Sequence, residues 1–199
     1  MLSRGDKMDG FCCLTLEQVY GHRMKQAVLL DPCVIDYDEL RYLKLLHIGY
    51  DGCPHQGELI VHQSIAKEVL EIFQSLYNLG YPIEKMRLMS CYDGDDEQSM
   101  ADNNSSAFNF RYVTGDEGKK YSKHAYGLAI DLNPRVNPYI KGDVILPKNG
   151  IAYVNRDQHA LGMIKKDDAV YQLFEKYGWI WGGDWESLKD YQHFEKKIK

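Results

Sequence analysis

The sequence predicts an α+β fold: a single domain with a mostly antiparallel central sheet and packed helices. Three observations carry this. One segment, about 59–79, repeats apolar residues at helical spacing; others, at 38–50 and 128–132, carry strand signals; and the order of the two kinds is mixed rather than a regular βαβ series.

Residues 1–35 are the least patterned part and read as an N-terminal extension, or an early helix covering the core, ahead of a domain spanning 36–199. In DELRYLKLLHIGY, residues 38–50, Leu43 and Leu45 share one strand face while Tyr42, Leu46 and Ile48 lie near the other. The turn formers of DGCPHQG predict a loop. The helix of about 59–79 follows, with Ile65, Val69, Ile72, Phe73, Leu76 and Leu79 on its apolar face. Gly80 is placed to end it, and Pro82 forbids continuation. A short strand is expected at 86–91, then a long polar surface loop over 93–106, then strand-like alternation in AFNFRYV. YGLAIDLN is a compact strand signal, and Pro134 and Pro138 keep NPRVNPYI out of any central strand. A second helix is predicted at about 168–177, ended by Gly178, and the aromatic tail reads as strand, loop, strand.

Composition narrows the function classes. Of the 199 residues 44% are hydrophobic and 27% charged, the balance of a globular protein with a core of its own. A net charge of -5 disfavours nucleic acid as a partner, because neutralising phosphates needs a basic face. No apolar run is long enough for a membrane span. The first residues lack the continuous apolar stretch of a signal peptide, which leaves the compartment open. The five cysteines are an odd number without a CxxC pair, so a cysteine zinc site is not expected; a Cys33–Cys53 disulfide is conceivable in an oxidising compartment. A monomer is expected.

Two clusters carry chemistry. In SKHAYGLAIDLN, His124 and Asp131 are seven apart, which on one unbroken strand would point them to opposite faces. Gly127 offers a bend between them, so that Leu128 and Ile130 face the core while Asp131 faces the other way. A carboxylate between Ile130 and Leu132 is costly to bury unless a cation meets it. In DYQHFE, His193 would complete a His2Asp set and leave a fourth zinc position open, the mark of a catalytic rather than structural site. Asp190 is the candidate general base and Glu195 its competitor. Against this stands the plain reading of a solvated tail, since Lys189, Lys196 and Lys197 surround the motif.

SKHAYGLAIDLNP, followed by GWIWGGDW and DYQHFE, resembles the M15 peptidases, a family that includes D-alanyl-D-alanine carboxypeptidases, vancomycin-resistance dipeptidases and phage endolysins. Its motif S-x-H-x-x-G-x-A-x-D is met by Ser122, His124, Gly127, Ala129 and Asp131, and the resemblance runs from about Asp36 to Glu195. It implies an M15, hedgehog-like fold, a Zn2+ cofactor held by His124, Asp131 and His193, and Asp190 as catalytic base. Asp rather than Glu at 190 sides with the endolysin-like branch. Arg111, in FNFRYVTG, matches the family's arginine ahead of the first ligand. It would steady a developing oxyanion or anchor a substrate carboxylate; the bland alternative is an ion pair with the acidic stretch Asp93–Glu97.

Ser122 reads as a hydrogen-bonding residue near the metal or the substrate. Trp179 is assigned to the core and Trp181 or Trp185 to a substrate groove. His22, His47, His55, His62 and His159 read as surface or satisfied packing residues. The expected activity is a zinc peptidase, carboxypeptidase or endopeptidase, acting on peptidoglycan stem peptides. A periplasmic, cell-wall or secreted location would suit that substrate. The rivals are a non-catalytic zinc-containing binding module, which would need neither Asp190 nor Arg111, and a D-alanyl-D-alanine dipeptidase.

Overall fold

The computed structural model describes residues 10–21, 34–114 and 120–198, and these form an α+β structure of small, mainly antiparallel sheets with few helices. Among the described residues no helix is long and apolar enough to cross a membrane.

The largest ladder joins β1 (Cys12–Thr15), β2 (Leu40–Ile48) and β3 (Pro54–His62) in that order. β2 and β3 pair over nine positions, from Leu40 opposite His62 to Ile48 opposite Pro54. The expected loop over DGCPHQG therefore shrinks to the turn after Gly49, and the start of the expected 59–79 helix is strand. The reason is visible in GELIVH. Leu59 and Val61 alternate into the core, a period-two pattern that a helical reading of a short apolar run conceals. β1 and the short helix α1 (Leu16–Tyr20) after it bring part of the N-terminal segment onto this sheet, and Phe11 enters the main core.

The helix proper is α2 (Ala66–Asn78), whose buried Ala66, Val69, Ile72, Phe73 and Leu76 cover the β2–β3 hairpin. Each of the four larger side chains contributes about 1.5–3 kcal/mol when fully buried. Gly80, at φ +67°, lets the Tyr81 N–H reach back to the Leu76 carbonyl at 2.9 Å, and the helix stops where the sequence placed its end.

Beyond α2 the elements become short. The expected 86–91 strand is only β4 (Lys85–Met86), followed by a 3-10 turn at Met89–Tyr92. The expected surface loop 93–106 instead folds into α3 (Asp96–Ala101) and β5 (Asn104–Ser105), with β5 parallel to β4. Its polar residues are there to bond inward: Asn103, Asn104 and Ser105 are fully buried, and Asn104 accepts from the Arg87 N–H at 2.7 Å. AFNFRYV forms no strand beyond a single bridge, Tyr112 to Tyr121.

A second sheet, β6 (Ala129–Asp131), β11 (His193–Glu195) and β9 (Ile180–Trp181), carries the functional residues. A third sets β7 (Tyr139–Lys141) between β8 (Val144–Leu146) and β10 (Lys189–Asp190). Pro138 ends just outside β7, so the central place of Tyr139 and Ile140 in this small sheet corrects the expectation for the end of NPRVNPYI. One central sheet is thus replaced by several small ones, the strands beyond α2 being two or three residues long. α4 (Ala169–Lys176) falls where predicted, and its Phe174 stacks on Phe194 at 4.0 Å between ring centres. His22 and Cys33 lie outside the described residues; Cys12, Cys13, Cys53 and Cys91 are free thiols.

Candidate metal centre and active-site cleft

The strand pair β6–β11 builds the site through alternation. In register, His193 faces Asp131, Phe194 faces Ile130 and Glu195 faces Ala129. One side of the pair therefore buries Ile130 and Phe194 in the core, while Asp131, His193 and Glu195 share the other. The Asp131 backbone is also clamped from its far side by Ser106, through bonds of 2.8 and 3.0 Å.

His124 comes to the same point from a 3-10 turn, Lys123–Tyr126. Ser122 caps that turn by accepting from the His124 N–H at 3.3 Å. Gly127 then reverses the chain at φ +63°, and a Cβ there would lie 2.6 Å from the His62 nitrogen. Both the left-handed backbone and the close approach demand glycine. This is the bend that reconciles a seven-residue separation with a shared site.

The resulting cluster is tight and dry. His124 Nε2 lies 3.2 Å from Asp131 Oδ2 and 3.2 Å from His193 Nδ1, and His193 Nδ1 lies 3.0 Å from Asp131 Oδ1. All three residues are buried, and their ligand-type atoms fall within 4.8 Å of one another, a grouping able to hold a metal ion. Burial disfavours the charge on Asp131, yet His124 and His193 hold its carboxyl well below the usual range. Burial equally disfavours a charged His193, but its hydrogen bonds to Asp131 and Glu195 outweigh that and push its pKa up to about 10. An ionised carboxylate wedged between two imidazoles needs positive charge in its midst, and a divalent cation meets that need with all three donors at once.

The outer partners fix the rings. His124 Nδ1 lies 2.5 Å from the Ala107 carbonyl, so it donates there and turns the Nε2 lone pair to the cluster. His193 Nε2 lies 3.5 Å from Glu195 Oε2, which frees Nδ1 on the cluster side. Glu195 thus backs the His193 ring, while also lining the edge of the cleft. Its place was legible in HFE, since residues two apart on a strand share a face. The Ala107 carbonyl had no signal in the sequence at all.

Around the cluster opens a cleft of about 1150 Å³, lined among others by Arg111, Ser122, Trp185, Asp190 and Gln192. Asp190 is fixed by the β10–β7 pairing opposite Tyr139 and by Gly182, where a Cβ would lie 2.6 Å from the Asp190 carbonyl oxygen. Its Oδ1 is shielded from water and has no hydrogen-bond partner among the described residues. Burial pushes the Asp190 carboxyl up to about 6, with His193 pulling it down, Asp131 adding to the rise and a hydrogen bond from Gln192 opposing it. Arg111 reaches the cleft from a segment laced to the His124 turn: the Ser122 N–H donates to the Arg111 carbonyl at 3.0 Å and the Asn109 N–H to the His124 carbonyl at 3.2 Å. Its guanidinium pairs with Asp96 of α3 at 3.0 Å, the contact that the acidic stretch foreshadowed.

The tryptophans separate. Trp185 lines the cleft with its ring 5.4 Å from that of His193. Trp181, expected with it as a groove residue, is buried in the core, its indole N–H donating to the Tyr191 carbonyl at 2.9 Å. Trp179 is in the core as expected. His47, His55 and His62 are satisfied by the Ile83 carbonyl, Asp51 and Ser64 respectively.

Comparison with known proteins rests on one match. No curated protein and no solved structure matches the chain. Residues 116–196 match the family model described as D-alanyl-D-alanine carboxypeptidase, a span that contains His124, Asp131, Asp190 and His193 but not Arg111. The segment that builds the cluster is therefore similar to the M15 peptidases.

Proposed function

We propose that this protein is a zinc-dependent peptidase that hydrolyses amide bonds in the peptide stems of peptidoglycan, on the side of the family that uses an aspartate as base. The observation that carries the reading is the buried His124–Asp131–His193 cluster with the partnerless Asp190 Oδ1 beside it on an open cleft. Two imidazoles and one carboxylate, with room for a further ligand, are a donor set suited to catalytic zinc. His124 Nε2, His193 Nδ1 and an Asp131 oxygen would hold the ion. Once bound, zinc supplies a Lewis acid that polarises the scissile carbonyl and acidifies the attacking water.

The remaining work falls to side chains of this chain. Asp190 takes the proton of the attacking water on its carboxylate and returns it to the leaving amine. Glu195 and the Ala107 carbonyl keep the two rings in the tautomers that ligation needs. Arg111 steadies the oxyanion or binds a substrate carboxylate, after exchanging part of its contact with Asp96. Trp185 offers an aromatic wall to the bound peptide.

The test is digestion of purified peptidoglycan and synthetic stem peptides with zinc-loaded protein, with and without a chelator, and fragments identified by mass spectrometry. Chelator-sensitive cleavage of a stem amide is expected, and the fragment masses name the bond. Zinc bound at full occupancy with every stem peptide left intact would overturn the enzyme reading.

A further inference from the structure

Gln192 lies between the proposed base and the last proposed ligand, and its side chain lines the same cleft although the residue is only 3% exposed. Its backbone is spent on the fold, the carbonyl accepting from the Leu132 N–H at 3.0 Å. Its carboxamide is only half spent. The Nε2 end meets the thioether of Met100 at 3.4 Å and donates towards the Asp190 carboxylate, a bond that favours the ionised form of that group. The Oε1 end is shielded from water and has no hydrogen-bond partner among the described residues. A buried carbonyl left without a donor is costly, and buried amides are normally satisfied. The bond to Asp190 accounts for the donor end of the amide, but it leaves the acceptor end unexplained.

We propose that Gln192 is a substrate-binding residue whose Oε1 accepts a main-chain N–H of the bound peptide next to the scissile bond. The inference rests on the peptidase reading of the cleft and adds a specificity to it. The site would favour peptides that carry an N–H at that position over those with an ester, an N-alkyl group or proline there. The penalty follows from chemistry: a substrate lacking the donor leaves the buried carbonyl as unmet as before, while giving up one of its own solvated contacts.

An ester-for-amide series reads the contact directly. Each non-scissile amide of a synthetic stem pentapeptide ending in D-alanyl-D-alanine is replaced in turn by an ester, which removes one N–H and adds no bulk. Zinc-loaded wild type is expected to lose about tenfold in kcat/KM at one position, the worth of one neutral hydrogen bond. Gln192→Met is expected to lose about tenfold on the all-amide peptide and to treat amide and ester alike at that position. Gln192→Glu, which keeps an acceptor, is expected to retain the discrimination. A merely structural role for Gln192 would lower the rate on every peptide by one factor. No ester-sensitive position in wild type, or the same sensitivity in Gln192→Met, overturns the inference and leaves the peptidase reading standing. If Gln192→Met fails to fold, judged by circular dichroism and zinc stoichiometry, the wild-type series and Gln192→Glu still decide. If wild type cuts no stem peptide, the peptidase reading falls first. Calorimetric binding of the same series to zinc-loaded wild type then decides the contact: equal affinity across the series, or no binding, overturns it.

Discussion

The β2–β3 hairpin under α2 and the β6–β11 pair under the metal cluster are both antiparallel ladders with an apolar back, yet they are held in place differently. The hairpin runs nine residues a side and is fixed by Val61, Val69, Ile72 and Phe73, all fully buried. The site ladder is three residues long and is fixed by amides. Asn133, at φ 44°, accepts from the Glu84 N–H at 3.0 Å and donates to the Pro82 carbonyl at 2.9 Å. Asn137 donates to the Leu132 and Gly162 carbonyls at 3.1 and 2.9 Å. Apolar packing is tolerant of small shifts and sets stability, whereas directional hydrogen bonds set position. A metal cluster whose donors sit about 3 Å apart needs the second kind of support.

If the two regions divide labour in this way, substitutions in each should move different observables. The largest expected effect is at the base. Asp190→Ala should lower kcat by about 10²–10⁴ while zinc stoichiometry and melting temperature hold, measured by steady-state kinetics, metal analysis and calorimetry. An undiminished rate would remove Asp190 from the mechanism. In the intact protein the base works only when ionised, so kcat/KM should fall as pH drops through its pKa. Burial, offset in part by the neighbouring groups, raises that pKa to about 6, and a bound cation lowers it, placing the acid limb at or below about 6. A limb well above that would argue for another base.

Next comes the hairpin side. Phe73→Ala should cost about 3–5 kcal/mol of stability in denaturant titration, since the ring is fully buried under α2, yet leave kcat per folded molecule close to wild type. A parallel collapse of kcat would show that the site depends on the apolar layer more closely than the division allows. Glu195→Gln keeps the shape behind His193 and weakens the orienting bond. It should reduce zinc affinity by about 10–100-fold in a competition assay, with little change in thermal stability of the zinc-free protein.

The smallest effect tests the hairpin's one buried imidazole. His47 donates from Nδ1 to the Ile83 carbonyl at 2.9 Å, and burial lowers its pKa from the ordinary 6.5. The unfolded chain therefore takes up the proton first as the solution is acidified. Stability from the neutral buried ring is fully present above about pH 6.5 and is lost as pH falls towards the folded value. Relative to wild type, His47→Asn should show a flatter stability curve below about 6.5 in chemical denaturation; identical slopes would exclude His47 as a contributor.

Legibility in the sequence followed the same division. Helices α2 and α4, the stop at Gly80 and the core faces of Leu43, Leu45 and Ile130 were readable because apolar periodicity is a local signal. GELIVH misled because a short apolar run at a helix border satisfies both periods, and pairing with β2 decided it. DGDDEQSMADNNSS misled because polar composition looks the same whether its amides meet water or buried partners. For the site, spacing made His124, Asp131 and His193 a modest suggestion and the family motif made them a set. Their convergence, however, depends on β6 and β11 pairing in one register, across 62 residues of sequence.

By itself, then, the sequence determined which residues have the chemistry: two histidines, two aspartates and a glycine whose missing side chain permits the bend. It also determined the main helices, since those follow from contacts a turn apart. Only the tertiary structure decided that Glu195 stands behind His193, that Trp181 belongs to the core while Trp185 faces the cleft, that Arg111 is held by Asp96, and that the Gln192 carbonyl is left without a partner. Those are matters of which polar group meets which across distant segments. Directional bonding settles them only when the chain is folded.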